Sequence, residues 1–343
     1  MKKLFLLLLL FPFLLGCSQK EKEFTVLQWN IWQEGTVIPG GYDAIVNEIA
    51  RLRPDFVTLS EVRNYENTNF TARLVQSLKE KGETYYSFYT YDTGLLSRYP
   101  ITDSLTVFPE KNDHGSIYRL TADMNGQKIA VYTAHLDYLD DAYYNVRGYD
   151  GSTWEEIPIP TTVEEVLKRN VASQRDDAIR LFIEQAKKDR AAGYTIILGG
   201  DFNEPSHQDW TEETKDLYDH HGFVIPWTVP VLLDEAGLKD AYREFYPDVL
   251  NYPGFTYPPD NPAKPADKIT WAPKADERDR IDYIWYYPEK GLKVKDAAIF
   301  GPKNSIVRAQ RVQETSKDKF IEPLGVWPTD HKGVLVTFQY PAK

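Results

Sequence analysis

Cysteine is almost absent from this sequence, because Cys17 is the only one among 343 residues. A chain with one cysteine cannot form an intrachain disulfide bond. An apolar core must therefore hold the fold together, and the composition allows one: 42% of the residues are hydrophobic and 14% are aromatic. These values are typical of a globular protein.

Positive charge is also scarce. The chain has 40 lysine and arginine residues against 51 aspartate and glutamate residues, a formal net charge of -11 at pH 7. Proteins that bind long nucleic acids through their phosphates need a strongly basic surface. The charge therefore disfavours a nucleic-acid-binding function, although a local basic groove would still permit it.

The apolar stretch at the N-terminus is too short to cross a bilayer as a helix. It covers residues 4–15 and follows Lys2 and Lys3, an arrangement typical of a secretory signal peptide. It ends in Leu14-Leu15-Gly16-Cys17, which resembles the lipobox of bacterial lipoproteins, and this resemblance implies cleavage before Cys17 and lipid on that cysteine. We expect a signal peptide over 1–16, a lipidated tether over 17–23, and a protein anchored by lipid to the membrane of the cell envelope, on its periplasmic or surface face.

Predicted strands and helices alternate along the rest of the chain. Strands are predicted over 24–32, 56–59, 195–198, 280–286, 294–300 and 334–338, and a hairpin over 117–122 and 128–133 turns at Asn125-Gly126, a dipeptide suited to a type I′ turn. Helices are predicted over 43–53 and 70–81, and a single long polar helix over 163–192. No shift in composition divides the chain, so we expect one mixed α/β domain over 24–343, acting as a monomer.

Two segments break this pattern. Residues 137–162 are rich in aspartate and tyrosine, and residues 252–273 are rich in proline. Long irregular segments within a compact domain are usually functional loops or disordered ones. The acidic segment is thus either a solvated loop that never meets substrate or a determinant of substrate choice.

Polar side chains recur at the ends of the predicted strands. The set comprises Asn30, Glu61, His135, Asp201, Asn203, Asp282, Asp330 and His331. Gly199-Gly200 precedes Asp201 and predicts a sharp turn beneath two exposed polar groups. Asp282 is placed to orient His331 as carboxylates orient catalytic histidines. The remaining histidines are predicted to be loop or surface residues: His114, His207, His220 and His221.

This set is dominated by oxygen donors, with little positive charge nearby in sequence apart from Arg98 and Arg280. Oxygen-rich sites suit Mg²⁺ or Mn²⁺, whereas zinc usually recruits more cysteine and histidine. Glu61 and Asn30 are natural ligands of such a cation. The pattern therefore favours a site for a hard divalent cation.

The order of these motifs resembles the endonuclease/exonuclease/phosphatase superfamily, also called the deoxyribonuclease-I-like fold. The matching segments cover nearly the whole mature chain: LQWNIW (27–32), TLSEV (58–62), GLLSRYPI (94–101), YTAHLD (132–137), ILGGDFNEP (197–205), GFTY (254–257), RIDYIW (280–285) and TDHKGV (329–334). The resemblance implies a four-layered α/β sandwich in which two mixed β-sheets are flanked by helices. It also implies hydrolysis of phosphoester bonds with the help of Mg²⁺ or Mn²⁺.

The resemblance assigns roles to the strand-end residues. Glu61 would be the principal metal ligand, with Asn30 and Asp330 nearby. Asp201 would position or deprotonate the attacking water, and Asn203 would bind a phosphate oxygen. Asp282 and His331 would form a hydrogen-bonded pair. Both His331 and His135 would contact the scissile phosphate.

Three functions remain open from the sequence. The first is hydrolysis of a small phosphorylated molecule or a lipid head group, which the net charge and the predicted membrane anchor favour. The second is a secreted nuclease that cleaves DNA or RNA. The third, a non-enzymatic surface binding protein, is disfavoured because every motif retains a chemically competent residue.

Overall fold

Two six-stranded mixed β-sheets form the centre of the protein, which we describe from a computed structural model over residues 22–341. The first sheet has the order β13 (Phe320–Ile321), β10 (Lys293–Phe300), β14 (Gly333–Tyr340), β1 (Lys22–Asn30), β2 (Phe56–Val62) and β3 (Asp92–Ser97). The second has the order β4 (Ile101–Phe108), β5 (Gly115–Asp123), β6 (Lys128–Leu136), β7 (Thr195–Asp201), β9 (Asp282–Tyr286) and β8 (Lys239–Asp240). A separate ribbon pairs β11 (Ser305–Val307) with β12 (Gln310–Val312).

The sheets pack face to face and helices cover their outer faces. Side chains alternate between the two faces of each strand. In β1, Val26 packs between the sheets while Leu27 packs beneath α1 (Gly41–Leu52) and α2 (Phe70–Glu80). In β7, Ile197 packs between the sheets while Ile196 faces α5 (Arg175–Ala191) and α6 (Thr228–Glu235). The predicted four-layered α/β sandwich is confirmed.

The predicted hairpin is also confirmed. Strands β5 and β6 pair in antiparallel register from Gly115 with Leu136 to Asp123 with Lys128. At the turn, Asn125 has φ 54° and Gly126 has φ 87°. A type I′ turn requires positive φ at both positions, which asparagine and glycine adopt readily.

The predicted helix over 163–192 is wrong, because the chain forms two helices there. Helix α4 (Val163–Asn170) ends before α5 begins at Arg175. The Asn170 side chain donates hydrogen bonds to Glu204 and Thr228 rather than facing solvent. The break thereby directs Arg175 into the interior, where its side chain is 1% exposed.

The predicted boundary of the tether also shifts. Strand β1 begins at Lys22, which pairs with Tyr340 of β14, so the last two residues assigned to the tether belong to the sheet. The predicted signal peptide and Cys17 lie outside the described residues. Within residues 22–341, no helix has the length and apolar character needed to cross a membrane.

The two irregular segments contribute to a small separate core together with neighbouring residues. Helix α3 (Ala142–Val146) lies in the acidic segment and is buried, and its side chains pack with Trp210, Trp227 and Ala272. A further short helix, α7 (Ala241–Phe245), follows β8. Residues 141–150 of the acidic segment are largely buried, which contradicts the solvated-loop interpretation for that part, whereas residues 152–159 are largely exposed.

Candidate active site

The polar strand ends predicted from the sequence meet at one edge of the two sheets. In the second sheet, His135 pairs in register with Asp201, and Asp201 pairs with Asp282. In the first sheet, Asn30 pairs with Ser60 next to Glu61. All predicted site residues except Asp282 line one pocket with a cavity volume of about 250 Å³.

Asp282 lies behind His331 and orients it. His331 Nδ1 is 2.9 Å from Asp282 Oδ2, and Gln28 donates a hydrogen bond of 3.3 Å to the other oxygen of Asp282. Burial alone would lower the pKa of His331, but the charges of Asp282 and Asp201 outweigh it and raise that pKa to about 10. His331 is therefore a cation at neutral pH, and its Nε2 lies 3.7 Å from Asp201.

A second buried pair, which the sequence interpretation missed, joins His135 to Asp92. His135 Nδ1 is 2.9 Å from Asp92 Oδ1. Burial opposes the charge of His135, but the carboxylate of Asp92 raises the pKa of this histidine to about 9. Asp92 is the first residue of β3, two positions before the GLLSRYPI motif, so a prediction of that strand would have identified it.

A β-bulge directs Glu61 into the pocket. The register of β2 and β3 shifts between Ser60 and Val62, so that Glu61 is the bulged residue, with φ 67°. Bulges of this kind redirect a side chain and are common next to active sites. Glu61 accepts hydrogen bonds from the backbone N–H of Gln33 at 2.9 Å and from Asn30 Nδ2 at 3.0 Å.

Asn30 and Asn203 hold Asp201 in place. Asn30 Nδ2 donates to one oxygen of Asp201 at 2.9 Å, and the backbone N–H of Asn203 donates to the other at 3.0 Å. The Asn203 side chain also donates to the carbonyl of Leu136 at 2.9 Å. Asp201 is 1% exposed, and burial raises its pKa.

The sharp turn predicted at Gly199-Gly200 is wrong, because both glycines lie within β7. They are needed for close packing instead. A Cβ atom at Gly199 would lie 2.2 Å from Thr58 Oγ1 of the facing sheet, and one at Gly200 would lie 2.5 Å from the carbonyl oxygen of Ala134. Asp201 reaches the pocket because the strand continues straight to its end.

The donors in the pocket fit a divalent cation. Burial raises the pKa of Asp330 to about 7, and the neighbouring charge of Glu61 contributes to this increase. A cation held by Glu61 and Asp330, with the Asn30 amide beside them, would relieve this repulsion. Donor atoms of Asp201, Asp282 and His331 also lie within 4.8 Å of one another, but Asp282 is already engaged by His331 and Gln28.

Arg63 is the one lysine or arginine side chain that lines this pocket within residues 22–341. It pairs with Asp92 at 3.0 Å and with Asp113 at 2.7 Å. The arginines noted in the sequence lie elsewhere: Arg98 pairs with Glu83, and buried Arg280 pairs with Asp209 and Asp240.

His220 lies in a loop, as predicted, but it is buried rather than at the surface. Its ring is 2% exposed and stacks on Trp210, with 3.7 Å between the ring centroids. His114 and His207 are half-buried and pair with Asp137 and Asp234, whereas His221 is exposed as predicted.

The fold and the site define a class of enzyme. The family model of the endonuclease/exonuclease/phosphatase family matches residues 27–331, and the chain belongs to this family. Members of the family are phosphoester hydrolases that use divalent metal ions.

Three animal proteins are among those similar to this chain. An uncharacterized protein of Caenorhabditis elegans is 26% identical over 333 residues, covering 95% of this chain and 96% of the relative. The structure of D. rerio TDP2 complexed with a single-strand DNA product has a TM-score of 0.52 at 17% identity, with 92% of this chain and 98% of that chain covered. The human Nocturnin catalytic domain with a bound sulfate anion has a TM-score of 0.51 at 17% identity, covering 94% and 98%.

Replacing Asp92 with asparagine tests the origin of the charge on His135. The pKa of His135 should fall from about 9 by roughly 1–3 units, because the carboxylate that stabilises the imidazolium is removed. At pH values below the ordinary pKa of histidine, the pair of His135 and Asp92 makes its full contribution to the stability of the fold. That contribution is lost as the pH rises through about 9. Histidine NMR titration measures the shift. Asp113→Asn is the control and should leave the pKa unchanged, whereas an unchanged pKa in Asp92→Asn would refute the assignment.

Proposed function

We propose that this protein hydrolyses a phosphoester bond in a small phosphorylated molecule or a lipid head group, with the help of Mg²⁺ or Mn²⁺. The observation that supports it best is the pocket itself, in which buried His135 and His331 both carry raised pKa values beside a cluster of carboxylates. Imidazolium groups stabilise the charge that develops on a phosphoryl group, and the carboxylates suit a cation and an attacking water.

The proposed roles follow from the contacts. His331 and His135 donate protons or hydrogen bonds to the phosphoryl oxygens, and Asp282 and Asp92 hold the two rings. Asp201 positions the attacking water, and Asn203 binds a phosphoryl oxygen. Glu61, Asp330 and Asn30 hold the cation, which when bound would neutralise charge on the phosphoryl group.

The pocket supports a small substrate. Its volume of about 250 Å³ lies just below the usual range of ligand sites, about 300–1,000 Å³. Its only arginine, among the described residues, is engaged by two carboxylates. Apart from the two histidines, a long polyanion would therefore find no lysine or arginine free of carboxylate partners there, which agrees with the net charge of -11.

Cleavage of nucleic acid is the second candidate function, because the similar D. rerio TDP2 structure contains a single-strand DNA product. A substrate panel with Mg²⁺ separates the two candidates. It should contain phosphomonoesters, small phosphodiesters, phosphodiester-linked lipids, and single-strand and duplex DNA. We expect small diesters or lipid head groups to be hydrolysed with the highest kcat/KM. Preferred cleavage of DNA would support the nuclease instead, and binding without turnover of any ester would support a non-enzymatic protein.

We further propose that the protein acts as a monomer anchored to the cell envelope through lipid on Cys17. Cys17→Ser should release the protein from membranes or leave the leader uncleaved, while the activity of the folded enzyme stays unchanged. Membrane fractionation with a parallel assay of turnover measures both. Wild-type partitioning of a fully processed Cys17→Ser protein would contradict the anchor.

A further inference from the structure

Four aromatic side chains line the pocket between its exposed edge at Trp271 and the proposed catalytic histidine His331. We call this set, formed by Trp271, Trp154, Tyr144 and Tyr257, the aromatic wall. The rings of Trp271 and Trp154 stack at 4.8 Å and 28°, and Trp154 meets Tyr144 edge to face at 5.0 Å. Tyr257 lies 5.1 Å from the ring of His331. All four side chains line the pocket, so a group attached to a phosphate bound at His331 would be within reach of them.

The two irregular segments build this wall together. Trp154 and Tyr144 belong to the acidic segment, whereas Tyr257 and Trp271 belong to the proline-rich one. Buried Glu277 joins the two segments, because it accepts hydrogen bonds from the Tyr144 hydroxyl at 3.2 Å and from the backbone N–H of Trp271 at 3.1 Å. The position of Trp271 is therefore set by contacts within the fold.

Trp154 is held in a backbone conformation that bulky residues rarely adopt. Its φ is 62°, in the left-handed region. Its N–H donates to the carbonyl of Asp150 at 2.9 Å, and the Asp150 side chain accepts hydrogen bonds from the backbone of Ser152 and Thr153. Residues held in such conformations cluster at functional sites and ligand clamps.

The end of the stack is open. Trp271 is 50% exposed, although tryptophan side chains are highly buried on average. A two-ring stack whose outer ring is exposed offers a face on which a third planar ring can stack. The only arginine or lysine lining the pocket, within the part of the chain that the structure describes, is the doubly paired Arg63. The wall therefore suits an uncharged ring rather than a second phosphate.

We propose that the aromatic wall is a specificity site for a planar, uncharged ring carried by a singly charged phosphodiester. This proposal rests on the proposed phosphoesterase function and specifies its substrate class. The shared chemistry is ring stacking on Trp271, and the ring can belong either to a nucleobase or to another aryl group.

Three phosphonate probes, each with one negative charge, test the proposal by isothermal titration calorimetry with Mg²⁺. They are methyl methylphosphonate, phenyl methylphosphonate and thymidine 5′-methylphosphonate. The wild-type protein should bind the two ring-bearing probes about 10-fold more tightly than the methyl probe. Trp271→Leu should reduce this preference to within about twofold, whereas Trp271→Phe should retain most of it. Trp32→Leu is the matched control and should keep the preference for ring-bearing probes, because Trp32 lines the pocket outside the aromatic wall.

The results show which kind of ring the site binds, and they separate failure of this proposal from failure of the proposed function. Tight binding of the thymidine probe alone assigns the ring to a nucleobase, and equal binding of both ring-bearing probes assigns it to any aryl group. Equal affinity of the wild type for all three probes, or a preference that survives Trp271→Leu, would overturn the proposal even if the enzyme hydrolyses small diesters. A ring preference without hydrolysis of any ester would instead contradict the proposed function.

Discussion

His331→Ala should lower kcat by about 1,000-fold, the largest effect that we expect from one substitution. Positioned proton donors and acceptors typically contribute 10²–10⁴-fold, and His331 is both charged and buried in the pocket. Steady-state kinetics on a small chromogenic phosphodiester measures the effect. A circular-dichroism melt of the same sample shows whether the protein is folded, because removal of the imidazole leaves Asp282 buried without its partner.

Two further variants complete this test. His331→Gln keeps a polar group beside Asp282. It should lower kcat about as much as His331→Ala does, but it should destabilise the protein less. His207→Ala should retain wild-type activity, because His207 pairs with Asp234 and does not line the pocket. Turnover within a few-fold of wild type in a folded His331→Ala protein would remove this residue from the mechanism.

Glu61→Gln should weaken Mg²⁺ or Mn²⁺ binding by at least about 100-fold and lower kcat/KM accordingly. The substitution keeps the shape of the side chain but removes the negative charge that a hard cation requires. Calorimetric titration with Mn²⁺ gives the affinity, and the dependence of turnover on Mg²⁺ concentration gives the functional counterpart. A high Mg²⁺ concentration should restore part of the lost activity if binding is the step affected.

Glu66→Gln is the matched control for this substitution. Glu66 also has a positive φ, 59°, but it is exposed and does not line the pocket. Its replacement should leave metal affinity and turnover unchanged. Wild-type Mn²⁺ affinity in Glu61→Gln would place the cation on other donors, such as the buried group of Asp201, Asp282 and His331.

Much of the fold could be predicted from the sequence because its signals are local. The alternation of apolar side chains in β1 and the Asn125-Gly126 turn each depend on residues that are neighbours in the sequence. The break between α4 and α5 could not be predicted in this way, since it depends on contacts of Asn170 and Arg175 with residues far along the chain. No glycine or proline marks it.

The site shows the same division. Strand-end residues such as Glu61 and Asp201 were identifiable because they follow apolar runs. Asp92 and Arg63 were missed because β3 was not predicted, and without it nothing places Asp92 beside His135. The sequence identified the acidic segment as a candidate determinant of substrate choice. The contribution of the proline-rich segment was missed, because only the folded chain brings Trp271 against Trp154.

We propose above all that this pocket hydrolyses phosphoesters with a divalent cation held at Glu61 and Asp330. This claim is tested most directly by the turnover of bis(p-nitrophenyl) phosphate by the purified protein before chelation, after exhaustive chelation, and after addition of Mg²⁺ or Mn²⁺. We expect chelation to abolish turnover and either cation to restore it in the wild type, but not in Glu61→Gln at the same concentration. Full turnover by the chelated protein, or equal restoration in both proteins, would contradict the claim.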